Sequence, residues 1–285
     1  MSFIEAIILG LVQGLTEFLP ISSSAHLRII GELMGTDPGA TFTAITQLGT
    51  ETAVIIFFRK DIARILGAWF RSFGSRGGAH SSRIAKGNPD VRLGWLIIIG
   101  TVPIVIVGYL AQELIRSDTV RNLWVTATVL IVFGILLGLA DRLGRRVTPL
   151  EQLGYRHGII IGLAQMLALI PGVSRSGAST SAGLALGYTR PAAARFSFLL
   201  AIPAVFGSGL YELVHSFGEP GNAFGYGETA VATVVAFGVG LGVIAFLMKY
   251  ISTHSFMPFV VYRLVLGGVL IALLSTGVLQ PLSGS

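Results

Sequence analysis

Residues 122–140 read Asn122-Leu123-Trp124-Val125-Thr126-Ala127-Thr128-Val129-Leu130-Ile131-Val132-Phe133-Gly134-Ile135-Leu136-Leu137-Gly138-Leu139-Ala140, with no charge anywhere in the run. As a helix this stretch is about 28 Å long, close to the thickness of a bilayer's hydrocarbon core. Five more runs of similar character occur at 41–58, 93–112, 191–214, 229–250 and 257–277. The chain of 285 residues is 53% hydrophobic and 12% charged. A soluble domain carries about 25% charged residues, and a core of this size could not hide so much apolar surface. The sequence therefore predicts an all-α polytopic membrane protein, a single integral membrane domain over 1–285.

Net charge is +6. The basic residues sit in short connections between apolar runs rather than along one stripe, which excludes nucleic acid as a partner and fits the positive-inside rule. Arg59, Lys60, Arg64, Arg71, Arg76, Arg83, Lys86 and Arg92 fall in 59–92, and Arg142, Arg145, Arg146 and Arg156 in 141–157. Both connections are expected in the cytoplasm, and Lys249 places its end of the chain there too. The connection 215–228 has Glu219 and Glu228 without Lys or Arg and is expected outside. These sides alternate without conflict and put both termini outside. With no cysteine, disulfides, thiolate metal sites and Cys nucleophiles are excluded. Glu5 and the lack of a basic leader argue against a cleaved signal peptide.

Two apolar stretches, 3–35 and 156–189, are broken at their centres by Pro20-Ile21-Ser22-Ser23-Ser24 and by Pro171-Gly172-Val173-Ser174-Arg175-Ser176-Gly177. The arm after each break is about a dozen residues, short for a span, so each stretch is read as a re-entrant helix hairpin. Non-helical backbone at membrane depth requires protein or a water-filled cavity around it. The stretches also resemble one another. Gly10-Leu11-Val12-Gln13 aligns with Gly162-Leu163-Ala164-Gln165, Pro20 with Pro171, and Ser23 with Ser174 after one dropped residue. Repeat 1 covers about 1–112 and repeat 2 about 156–277, with a connecting span at 122–140. Counting that span with the first half, each half is a re-entrant hairpin plus three transmembrane helices. An even number of crossings followed by an odd number turns the second half upside down. This is the inverted-repeat plan, which places a site at the repeat interface.

A charge at the centre of a membrane helix costs about 2.5–3.5 kcal/mol on insertion scales, so such residues are candidates for function. Glu17 lies in an apolar run with Gln13 one turn earlier on the same face. Gly172 and Gly177 permit close backbone approach. Ser176 is read as capping a helix that starts near Ala178, whose N-terminus, with Ser174 and the Arg175 fork, suits a phosphate. Ser22, Ser23 and Ser24 either cap the short arm starting near Ala25 or supply a nucleophile, with His26 as base, itself the phosphoryl acceptor, or a structural histidine with its hydrogen bonds satisfied. Glu17 either binds a divalent cation or pairs with Arg175. Bringing the two loops tip to tip sets Glu17, Ser23 and His26 opposite Arg175, a set suited to phosphoryl transfer.

The run Gln13-Gly14-Leu15-Thr16-Glu17-Phe18-Leu19-Pro20-Ile21-Ser22-Ser23-Ser24-Ala25-His26, together with Pro171 to Gly177, closely resembles the bacterial undecaprenyl-diphosphate phosphatases linked to bacitracin resistance. The resemblance extends over essentially the whole chain. It implies hydrolysis of undecaprenyl diphosphate to the monophosphate with Mg²⁺ or Ca²⁺, recycling the lipid carrier for peptidoglycan. It implies catalytic roles for Glu17, Ser23, His26 and Arg175, and a plasma-membrane site open to the outer face. Substrate contacts are expected from Gln13, Ser22, Ser24, Gly172, Ser174, Ser176 and Gly177, and metal binding from Glu17. Many members have Glu where this chain has Gln13; Glu51, inside a span, either compensates or pairs with a nearby cation. The other reading is a transporter or flippase of polyprenyl phosphate, which would share the anion clamp but would not need the Ser23 and His26 pair. Partners are the polyprenyl diphosphate lipid and membrane lipids; a homodimer stays open.

Overall fold

Long uncharged runs in a low-dielectric surround satisfy their backbone only within the segment, so they must be helices. A computed structural model describes residues 2–35, 38–74, 87–117, 119–216 and 224–282. Arg76, Arg83, Lys86 and Glu219, named above for their charge, lie outside them. Among the described residues, six helices are long and apolar enough to cross a membrane. They are α3 (Gly39–Phe57), α5 (Pro89–Leu110), which the short α6 (Gln112–Arg116) follows, α7 (Leu123–Leu143), α10 (Arg190–Ser216), α11 (Tyr226–Tyr250) and α12 (Met257–Ser275). They coincide with the six apolar runs to within a few residues at each end. Only 28% to 44% of each span is buried within the protein. The outward faces, such as Ile98, Val102 and Ile106 of α5 or Val261, Val265 and Val269 of α12, are bare hydrocarbon that requires lipid. The protein is a multi-pass membrane protein.

The broken stretches form two pairs of shorter helices. Helix α1 (Phe3–Thr16) opens with a capping box between Ser2 and Glu5 and is followed, across the first break, by α2 (Ser23–Leu33). In the second, α8 (Tyr155–Met166) runs into a 3₁₀ turn at Leu167–Leu169 and then α9 (Arg175–Ala185). The second arms are eleven residues each, about 16 Å, half the hydrocarbon thickness. The basic connection 59–92 is less of a loop than its charges imply. It contains α4 (Arg59–Gly74), whose Ile65 and Ala68 are buried and whose Trp69 packs on Gly94. Four Arg and Lys residues, and Asp61 on the buried face itself, obscure that apolar stripe in the sequence.

Packing follows the small residues. Helix α1 lies along α11 with Gly10 on Ala232, and α8 lies along α5 with Gly162 on Gly100. Helices α3 and α10 each pack on α11 and α5 respectively and on each other, and α7 packs on α12. At one end, Arg195 bridges to Asp61 at 2.9 Å, Arg64 to Asp90 at 3.0 Å, and Asp141 accepts from Arg190 and from the Phe256 amide. Arg92 donates to the Glu151 carbonyl there. Both basic connections therefore sit together. At the other end, Thr41 donates to Glu212, Tyr226 to the Ser216 carbonyl, and Leu123 to that of Pro281.

The two breaks are tied together from α12. Arg263, fully buried, donates Nη1 to the carbonyls of Pro20 (3.0 Å) and Val173 (3.1 Å). Its Nη2 donates to Gly172 (2.8 Å) and its Nε to Leu130 of α7 (3.1 Å). One guanidinium thus satisfies carbonyls from both unwound segments.

Two expectations follow for thermal unfolding in detergent. A Cβ on Gly162 would come within 2.6 Å of the Gly100 Cα, so Gly162→Val should destabilise by about 1–3 kcal/mol. Gly242 has nothing within 4 Å of such an atom, and Gly242→Ala should be neutral or stabilising by up to about 1 kcal/mol. Each buried acceptor left without its donor costs about 1–3 kcal/mol. Arg263→Met, which strands the carbonyls of Pro20, Gly172 and Val173, should lower stability more than Gly162→Val does, and Arg263→Lys, with a point charge for a fork, should recover only part of it.

Candidate functional site

The first break begins where α1 must stop, because Pro20 carries no amide hydrogen to continue the helix. Before that point the helix places Gln13 and Glu17 on one face, and Gln13 Nε2 donates to Glu17 Oε2 at 2.8 Å. Ser22 takes a left-handed backbone with φ 72°, a costly conformation for a residue with a Cβ. That turn brings Ser23 back over Glu17, and its hydroxyl donates to Glu17 Oε2 at 2.6 Å. Ser22 and Ser24 share a hydrogen bond at 3.1 Å. The expected side-chain cap is not formed: Ser22 is the N-cap residue of α2 but accepts no backbone amide through its hydroxyl. The serines are engaged by one another and by Glu17 instead.

His26 is one turn into α2. Its Nδ1 is 2.7 Å from the Ser22 carbonyl, which an N–H at that position satisfies, and Nε2 is 2.6 Å from the Tyr262 hydroxyl. The imidazole also stacks on Tyr262, with centroids 5.5 Å apart. His26 is thus turned toward α12 and is bonded to neither Ser23 nor Arg175.

The second break repeats the turn. Gly172 has φ 95° and sits against the Thr126 carbonyl, where a Cβ would approach to 2.7 Å. Ser174 has φ 69° and caps α9 by accepting from the Gly177 amide at 3.2 Å. Here the sequence reading is corrected in two ways. The cap is Ser174 rather than Ser176, and the helix begins at Arg175 rather than near Ala178. The shared left-handed cap also sets Ser22, not Ser23, against Ser174. Ser176 is freed to face the other loop, its hydroxyl 3.4 Å from the carbonyls of Glu17 and Leu19 and 3.2 Å from the Ser174 hydroxyl. Arg175 crosses to Glu17, with Nη2 at 2.6 Å from Oε1, and stands 3.6 Å from Glu51 Oε2 of α3.

A cavity of about 590 Å³ opens onto these groups. Glu17, Ser22, Ser23, Ser24, Ser174 and Arg175 line its polar end, and Ile104, Val105, Leu169, Ala204 and Val205 contribute apolar wall. Both α2 and α9 start at the cavity, so the positive ends of two helix dipoles point at it. Gln13 and Ser176 brace the lining residues from behind, and Gly172 and Gly177 shape the backbone. The arrangement offers a hydroxyl bonded to a carboxylate, a permanent cation and an apolar channel, which is the equipment for handling an amphiphilic phosphate. Among the described residues, no three His, Cys, Asp or Glu side chains converge as a ready-made metal cluster.

Sequence reasoning did not single out Arg263 or Tyr262, although both contact the loops. The signal for Arg263 was present, since it is a charge inside the apolar run 257–277, the same signal that drew attention to Glu17. Tyr262 gave none; only its position reveals its role.

The sequence pattern of the family described as "Bacitracin resistance protein BacA" matches residues 6–269. An undecaprenyl-diphosphatase of Clavibacter michiganensis is 68% identical over 97% of this chain and 98% of its own. One from Micrococcus luteus is 62% identical over 98% of this chain and 100% of its own, and undecaprenyl-diphosphatase 2 of Agrobacterium fabrum is 58% identical over 98% of each.

Proposed function

The chain belongs to the bacitracin resistance protein BacA family, and from that premise we propose how its site performs the family's reaction. The protein is an undecaprenyl-diphosphatase: it hydrolyses undecaprenyl diphosphate to undecaprenyl phosphate and inorganic phosphate, returning the lipid carrier to cell-wall synthesis. The observation that carries the mechanism is the 2.6 Å hydrogen bond from Ser23 to Glu17, beside Arg175, at the polar end of an apolar-walled cavity.

The isoprenoid tail lies along the apolar wall and the diphosphate at the polar end. Arg175 has five donors, of which Nη2 serves Glu17, leaving the rest of the fork for phosphate oxygens. The helix N-termini at Ser23 and Arg175 add dipoles of the same sign. Ser23 Oγ attacks the terminal phosphorus while Glu17 Oε2 takes its proton. The bond from that phosphorus to the bridging oxygen breaks, and undecaprenyl phosphate leaves with the proton returned by Glu17. Water, activated by the same carboxylate, then cleaves the phosphoserine to give inorganic phosphate and free Ser23. His26 is assigned a positioning role. Held by Tyr262, it fixes the Ser22 carbonyl and with it the serine turn. This favours Glu17 over His26 as the base.

Mg²⁺ or Ca²⁺ fits the donors present, because these hard ions take oxygen ligands and Gln13 Oε1 is a buried acceptor without a donor. Glu17 and that amide oxygen would hold the ion, which when bound neutralises charge on the diphosphate.

The architecture we propose is two inverted repeats, each opening with a re-entrant hairpin. The exchange of partners supports it: α1 packs on α11 as α8 packs on α5, and left-handed serines cap both second arms. In a bacterial plasma membrane the basic end would lie in the cytoplasm. Tyr109, Gln112 and Tyr211, toward the opposite end, line the cavity, which supports an active site open to the outer face. All the side chains invoked in this reading come from one chain. Flipping of polyprenyl phosphate would leave the Ser23 and Glu17 pair without a task.

The test is phosphate release from undecaprenyl diphosphate in detergent, where no sealed membrane exists. Glu17→Gln and Ser23→Ala should each reduce the rate by about 10²–10⁴, and Arg175→Ala by about 10³ or more. His26→Ala should cost less than any of them. Full activity in Ser23→Ala would remove the serine as nucleophile, and no release by folded wild type would remove the hydrolase.

A further inference from the structure

One carboxylate at the site has no task in the mechanism above. Glu51 comes from α3, is 1% exposed, and neither of its oxygens has a hydrogen-bond donor. Its ionic contact is the 3.6 Å approach of Arg175 Nη2, but that nitrogen makes its close bond, at 2.6 Å, to Glu17. Two carboxylates thus share one guanidinium, and Glu51 has the poorer share. Arg263 does not relieve the imbalance, because it is committed to four backbone carbonyls. A buried carboxylate without donors is costly, more so inside a membrane span. Balancing Arg175 does not explain it either, since Glu17 already does so.

A second buried orphan belongs to the same cluster. Gln13 is 0% exposed, and with its amide nitrogen spent on Glu17 its Oε1 has no donor. The unmet atoms around the Glu17 and Arg175 pair are therefore all oxygen acceptors: both of Glu51 and one of Gln13. An anion would need donors there, whereas a hard cation needs oxygens, and Mg²⁺ in particular takes one or two carboxylates together with substrate phosphate. With both carboxylates ionised, the cluster Glu17, Glu51 and Arg175 would carry one negative charge in excess, which a bound cation would balance.

We propose that Glu51 joins Glu17 and Gln13 Oε1 as a protein ligand of the divalent cation at this site and is the principal one, so that Glu17 stays available as proton acceptor for Ser23. The inference rests on the reading of the site as a cation-assisted diphosphatase, and it adds to that reading a residue from a different helix.

The test is Mn²⁺ binding by the full-length protein in detergent without substrate, followed by electron paramagnetic resonance, with phosphate release measured in parallel. Wild type should bind Mn²⁺ competitively with Mg²⁺. Glu51→Gln, close to isosteric, should weaken binding at least about tenfold and raise the Mg²⁺ needed for half-maximal release by a similar factor. Glu51→Asp, which keeps the charge, should fall between the two, and elution and melting profiles would confirm that both variants fold. Mn²⁺ bound equally well by Glu51→Gln would overturn the inference, as would a wild type that releases phosphate without binding Mn²⁺, a result that leaves the hydrolase intact. Binding through Glu51 in a wild type that releases no phosphate would uphold the ligand and sink the hydrolase.

Discussion

Arg263 carries the constraint on which the rest of the site depends. Unwound backbone inside a membrane protein exposes carbonyls that water cannot reach, and each must find a donor within the protein. The breaks at Pro20 and at Gly172-Val173 create such carbonyls, and the single guanidinium of Arg263 serves both together with Leu130 of α7. A planar fork with five donors suits this geometry; an ammonium does not. Because the same side chain bonds both loops, their separation is fixed, and so is the distance from the serine turn on one loop to Arg175 on the other.

The remaining features fall into place around that bracket. Close contacts at Gly10 and Gly162 let α1 and α8 approach their neighbours closely enough for the loops to meet. The left-handed serines, Ser22 and Ser174, turn the chain sharply so that the next residue in each loop, Ser23 or Arg175, faces Glu17. Such conformations carry strain, and strained non-glycine residues gather where a site must be preorganised. The His26 and Tyr262 contact adds a second tie between the serine turn and α12.

The inverted-repeat scaffold proposed above is of a kind used to carry molecules across membranes, yet the chemistry at its centre is that of a hydrolase. A hydroxyl in short contact with a carboxylate has a proton to lose and a base to receive it; an anion clamp alone would suffice for transport. The apolar wall from Ile104 to Val205 lets a lipid substrate keep its tail in a hydrocarbon environment while its head group reaches buried charges. Burying Glu17 and Glu51 beside Arg175 opposes stability; on the proposed mechanism that cost is offset because phosphate chemistry gains from charges held in low dielectric.

Hydropathy is a local property, so the six spans, the two breaks and the candidates Glu17, Ser23 and Arg175 were legible from residue order alone. A run of nineteen uncharged residues has few alternatives to a membrane helix. Helix α4 was hidden because its charges are interspersed with the apolar stripe that Ile65 and Ala68 bury. The capping residue of the second loop was misjudged because Ser174 and Ser176, two positions apart, are equivalent in sequence, and only backbone torsion selects between them. His26 looked like a base for Ser23 on spacing, but its partner is Tyr262, 236 residues away. Arg263 reaches Pro20 across 243 residues, and Glu51 meets Arg175 only because α3 packs beside the second loop. The sequence by itself determined how many helices cross the membrane and where the chain must break. Tertiary structure decided which charges meet, because hydrogen bonds and ion pairs depend on distances of a few ångströms between segments far apart in the chain.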